Sequence, residues 1–116
     1  MKIEYLDDYQ EKALRTWNTK GNKTLLASNA ALGLTGEAGE CADIVKKEHY
    51  HLHEIDPQEM KKELGDTLYY LAVLASEYGF TLRDIAETNI EKLSKRYPEG
   101  FNSEASIKRV DVQGDE

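Results

Sequence analysis

The chain has 116 residues, 40% of them hydrophobic, which suffices for one modest core and predicts a single domain. Its formal net charge of -7 excludes a protein that grips nucleic-acid polymers through clustered Lys and Arg, although an acidic protein can still take a phosphate ester through a bound cation. The single cysteine, Cys41, rules out an internal disulfide, no apolar run reaches the roughly 20 residues of a membrane span, and the first residues carry no signal-peptide stretch, so a cytoplasmic chain without a membrane partner is expected.

The first predicted helix covers about Leu6 to Trp17, with Leu6, Tyr9, Ala13 and Trp17 at helical spacing, and Gly21-Asn22 closes it. A longer helix follows from about Lys23 to Tyr50. Its inner stripe runs Leu26, Ala30, Gly33, Glu37, Glu40 and Ile44, so two glutamates interrupt an apolar face. After a loop, Asp56-Pro57-Gln58-Glu59 supplies an N-cap, a first-turn proline and a capping-box acid in the right order. The third helix reaches about Tyr78, and its centre, Leu68 to Ala75, is apolar on every side. Gly79 ends it. Thr81 and Asp84 open a fourth helix with the stripe Leu82, Ile85, Ala86, Ile90, Leu93 and Tyr97, and Pro98 stops that one.

The fold class is therefore all-α, a four-helix core bundle over residues 1–100, followed by a polar, partly ordered tail over 101–116 with Phe101, Ile107 and Val110 as its apolar anchors. Four helices of this length have little area for enclosing one that is apolar all round. A homo-oligomer, dimer or tetramer, is expected, in which a second copy covers the spare face; the alternative is that one unit buries it alone.

The i, i+3 pair Glu37 and Glu40 is separated by about 60° around the helix and about 4.5 Å along it, so both point the same way. Glu63 and Asp66 repeat the pattern on the next helix. A short connection makes the two helices antiparallel neighbours, and the acid pairs then face one crevice. Crowded carboxylates on apolar stripes repel one another and lose hydration, which a divalent cation relieves. All-oxygen donors suit Mg2+, or Mn2+ as a substitute, and Mg2+ completes its shell with substrate phosphates. Either pair taken alone also occurs on solvent faces of helices.

On the fourth helix Asn89, Lys92 and Arg96 suggest a phosphate-binding edge, with a satisfied core amide and solvent-directed cations as the bland reading. Trp17, Tyr69 and Tyr70 are candidates for stacking on a base, Trp17 foremost, though all three also suit a core. His49, His51 and His53 read as loop residues; only His49 and His53 could share a ligand, if their turn stays helical. Lys46 and Lys47 read as solvated lysines or as a second approach to the phosphates.

The stretches Gly36-Glu-Ala-Gly-Glu-Cys-Ala-Asp-Ile-Val-Lys-Lys, Glu63-Leu-Gly-Asp-Thr-Leu-Tyr-Tyr-Leu and Asn89-Ile-Glu-Lys-Leu-Ser-Lys-Arg-Tyr-Pro together resemble the MazG-like nucleoside triphosphate pyrophosphohydrolases, over roughly Leu25 to Phe101. The resemblance implies an all-α oligomeric bundle with Glu37, Glu40, Glu63 and Asp66 as Mg2+ ligands, and Asn89, Lys92 and Arg96 in the substrate and phosphate site. It implies hydrolysis of a nucleoside triphosphate to monophosphate and pyrophosphate, with Glu37 or Glu40 as catalytic base, in clearing unwanted nucleotides. Two alternatives stay open: a phosphoribosyl-ATP pyrophosphohydrolase, which has similar acid pairs, and a helical dimerisation or nucleotide-binding module without catalysis.

Overall fold

Side-chain caps decide where the longer helices begin. In the computed structural model, which describes residues 2–109 and 111, α1 (Leu6–Leu14) has no side-chain cap, but α2 (Lys23–Tyr50) starts where Asn22 Oδ1 accepts from the Leu25 amide at 2.9 Å. Asn22 thus opens α2 instead of closing α1. Asp56 Oδ1 accepts from the Gln58 amide at 3.0 Å and Pro57 occupies the first turn of α3 (Pro57–Glu77). α3 ends in a Schellman motif: Gly79 takes φ +79°, its N–H bonds the Ser76 carbonyl at 2.9 Å, and the Phe80 N–H bonds the Ala75 carbonyl at 2.8 Å. α4 (Leu82–Arg96) follows, and then a short α5 (Ser103–Lys108), N-capped by Asn102.

The chain is all-helical, with no strand among the described residues and only an isolated bridge between Pro98 and Gly100. It divides into two units, Met1–Leu82 and Arg83–Glu116. In the first, α2 and α3 pack side by side and α1 lies against α3. The hairpin is antiparallel, since Gly33 meets Tyr70 while Glu37, further along α2, meets Glu63, earlier in α3. At Gly33 the helices come so close that an added Cβ would collide with the Tyr70 ring. Ala30, Ala72, Val73, Ala75 and Leu82 form the buried apolar core.

Gln10 is the buried polar residue among the described residues of this unit, and three hydrogen bonds satisfy both ends of its amide. Its Nε2 donates to the Ala72 and Phe80 carbonyls, both at 3.1 Å, and its Oε1 accepts from the Leu82 amide at 2.9 Å. One side chain thereby ties α1 to the end of α3 and to the turn that follows it.

Two expectations are corrected. α1 stops at Leu14, not Trp17, because the next residues tighten into i to i−3 turns: the Thr16 and Trp17 amides bond the Ala13 and Leu14 carbonyls at 3.0 and 3.1 Å, and the Thr16 hydroxyl takes Ala13 O at 2.8 Å. Of the three apolar anchors expected for the segment after Phe101, Phe101 and Ile107 are 76% and 82% exposed and do not serve as anchors, and Val110 lies outside the described residues. The segment folds as α5, which ends at Arg109 in the left-handed region (φ 53°), and carries a buried Asp111.

Candidate functional site

The antiparallel hairpin brings together acids from both pairs. Glu37 of α2 and Glu63 and Asp66 of α3 each place a carboxylate oxygen within 4.8 Å of the others'. Glu37 and Glu63 are half-buried, and Asp66 is exposed. Glu40 is exposed and is not one of this group of three, though its charge still acts on Glu37.

Crowding of this kind makes protons harder to remove. The Glu37 carboxyl is pushed above the usual carboxylate range, first by a hydrogen bond with Glu63, then by burial, then by the charges of Asp66, Glu63 and Glu40. Glu63 Oε2 is buried with no hydrogen-bond partner. An orphaned anionic oxygen beside two more carboxylates fits a divalent cation, and the donors, all oxygens, fit Mg2+ or Mn2+ better than zinc.

α1 supplies a neighbour that the sequence reading had only as a stripe residue. Burial, and then the charges of Tyr69 and Asp66, push the Tyr9 phenol above its usual value. Cys41 Sγ lies 3.8 Å from Thr67 Oγ1, and that hydroxyl donates to the Glu63 carbonyl at 2.9 Å. Trp17 is half-buried and meets Tyr69 and Tyr70 edge-on at centroid distances of 6.5 and 6.4 Å, while its Nε1 donates to Glu77 at 3.2 Å. These are packing contacts of a residue that closes the α1–α2 turn onto α3.

The histidines do not assemble a site: among the described residues the only group of three or more metal-type ligands is the acidic one. α2 ends at Tyr50 and Leu52 takes φ 57°, so the turn that would have aligned His49 with His53 is not helical. Lys47 is paired with Asp43 at 2.9 Å, and that bond lowers the Asp43 carboxyl and raises Lys47.

Asn89 and Lys92 lie on α4 in the second unit, both exposed, with Arg96 further along the same face. Arg96 holds a bidentate ion pair: its Nε and Nη2 donate to the two carboxylate oxygens of Asp111 at 2.7 and 2.9 Å. The guanidinium holds the Asp111 carboxyl down at about 2, and the carboxylate raises Arg96. Sequence reasoning missed Asp111; the available signal was a half-buried arginine on a helix stripe, which needs a counter-charge.

An all-helical chain that gathers carboxylates from two antiparallel helices belongs to the class of helical proteins whose facing side chains build an acidic site. The MazG nucleotide pyrophosphohydrolase domain matches residues 27–101, and the chain belongs to that family. It is 36% identical over 77 residues to the Gene 37 protein of Mycobacterium phage L5, covering 63% of this chain and 68% of that protein. It is also 42% identical over 40 residues to the uncharacterized protein YvdC of Bacillus subtilis (strain 168), covering 34% of this chain and 38% of the other. No solved structure matches. No helix among the described residues is long and apolar enough to cross a membrane.

Proposed function

We propose that this chain is a Mg2+-dependent nucleoside triphosphate pyrophosphohydrolase, which cleaves a ribo- or deoxyribonucleoside triphosphate to the monophosphate and pyrophosphate. The supporting observation is the convergence of Glu37, Glu63 and Asp66, with Glu63 Oε2 buried and unpartnered, inside the segment that matches the family. Glu37, Glu40, Glu63 and Asp66 would hold the cation, which when bound neutralises the polyphosphate and acidifies a water for attack on the α-phosphorus.

The remaining roles fall to the chain's own side chains. Glu37 or Glu40 is assigned to accept the water's proton; Glu37 belongs to the tight group of three and Glu40 lies outside it. Asn89, Lys92 and Arg96 are assigned the substrate's phosphates on the family ending. A homodimer or homotetramer is part of the same reading: Leu25, Leu32 and Leu64 stay 62%, 71% and 54% exposed on a single chain, which is apolar area that a second copy would cover.

The test is a panel of ribo- and deoxyribonucleoside triphosphates with Mg2+, scored for monophosphate and pyrophosphate. Glu40→Gln and Asp66→Asn are expected to abolish turnover with helicity intact. Absence of pyrophosphate release across the panel, or full activity in either variant, overturns the assignment.

A further inference from the structure

Arg96 is held in place by a buried carboxylate. The Asp111 side chain is 0% exposed and the Arg96 side chain 19%. The carboxylate grips one edge of the guanidinium, through Nε at 2.7 Å and Nη2 at 2.9 Å, and Arg109 Nε stands 3.7 Å from the same Asp111 Oδ1. Local structure delivers Asp111 to this place. Asn102 caps α5, Arg109 ends it in the left-handed region, and two residues later the chain reaches Arg96.

A guanidinium is planar and rigid, so fixing one edge fixes the direction of every other N–H. The pair uses two of the five N–H donors that an arginine carries, and a hydrogen bond with Tyr97 engages the guanidinium further. Arg96 also lines an open cavity of about 400 Å³ together with Lys95, Asn102, Glu104 and Lys108, the last two paired at 2.7 Å. Bidentate pairing adds geometric definition to charge balance, so the Asp111 carboxylate constrains the plane of the guanidinium.

We infer that Asp111 is the positioning residue of Arg96, fixing the guanidinium so that its remaining donors are presented to the phosphates of the substrate. The inference rests on the assignment of Arg96 in the proposed function and adds to the site a residue beyond the segment that matches the family. The alternative, in which Asp111 occupies the place of a phosphate and competes with it, makes the opposite prediction.

The experiment is calorimetric titration of inorganic tripolyphosphate, with Mg2+ present, into the full chain and into Asp111→Asn, Asp111→Glu, Arg96→Ala and the Arg96→Ala/Asp111→Asn double variant, each also followed by melting temperature. Asp111→Asn should weaken binding roughly three- to tenfold, the span that ordering one flexible side chain covers. In the Arg96→Ala background the same change should have no further effect, because the two act as one unit. Asp111→Glu should fall between wild type and Asp111→Asn, and it carries the test if Asp111→Asn loses its helical signal. Unchanged binding with a lowered melting temperature, tighter binding in Asp111→Asn, or no binding by the wild type each overturns the inference. Turnover is not read, so a wild type that binds tripolyphosphate through Arg96 but releases no pyrophosphate from nucleotides sinks the hydrolase reading alone.

Discussion

Glu37 and Glu63, one helix apart, hold their carboxyl groups in a shared hydrogen bond that raises the proton affinity of Glu37. A carboxyl whose folded pKa lies above its unfolded value stabilises the fold below the unfolded value of about 4.3 and loses that contribution as pH rises through the folded one. The metal-free protein is therefore strained here at neutral pH, and a cation should relieve it. Mg2+ at ten times its Kd is worth about 1.4 kcal/mol by mass action. The rise in Tm on adding Mg2+ should be larger at pH 8 than at pH 5; an equal rise at both, or none, contradicts the acid cluster as a cation site.

Glu63→Gln tests the orphaned oxygen directly. An amide in place of Oε2 removes one charge from the cluster and offers a donor to Glu37, so the metal-free melting temperature should rise or hold. Metal-induced stabilisation should vanish, and turnover should fall by at least about 100-fold. A variant that melts lower without metal and still responds to Mg2+ would show that Glu63 serves packing only.

At Gln10 the expectation is structural. Gln10→Ala leaves the buried Leu82 amide without its acceptor, at a cost of about 1–3 kcal/mol. Gln10→Glu should be worse, since a carboxylate would face the Ala72 and Phe80 carbonyls that now accept from Nε2. Chemical denaturation of the three proteins gives the order; equal midpoints would remove Gln10 from the account of stability.

Two glycines of α2 should respond with opposite sign. Gly33→Ala gains about 1 kcal/mol of helix propensity but overpacks against Tyr70, which typically costs about 1–3 kcal/mol, so a net loss is expected. Gly36 has nothing within 4 Å of a would-be Cβ, and Gly36→Ala should stabilise by up to about 1 kcal/mol. A loss at Gly36 would instead report a second copy packed on that face.

What was legible in the sequence was local. Asp56-Pro57 and Gly79 mark the ends of α3 by chemistry contained within a few residues, and a short loop leaves α2 and α3 little choice but to be neighbours, which brings Glu37 to Glu63 and Asp66. The spacing puts Glu40 on the face of Glu37, and the about 60° between them does not tell which of the two carboxylates joins the tight group of three. Gln10 was invisible because its partners lie 62, 70 and 72 residues away, and no pattern near Tyr9 announces them. Asp111 is hidden in the same way: it lies in a polar stretch of sequence, and no local pattern marks it as buried.

The Gln10 bonds also bear on the order of assembly. The α2–α3 hairpin joins adjacent elements through a short connection and can close early, whereas the Gln10 bond to Leu82 spans 72 positions and closes a large loop at a correspondingly greater entropic cost. If α1 docks last, Gln10→Ala should speed unfolding and leave the refolding rate almost untouched. Slowed refolding would instead place the docking of α1 in the rate-limiting step.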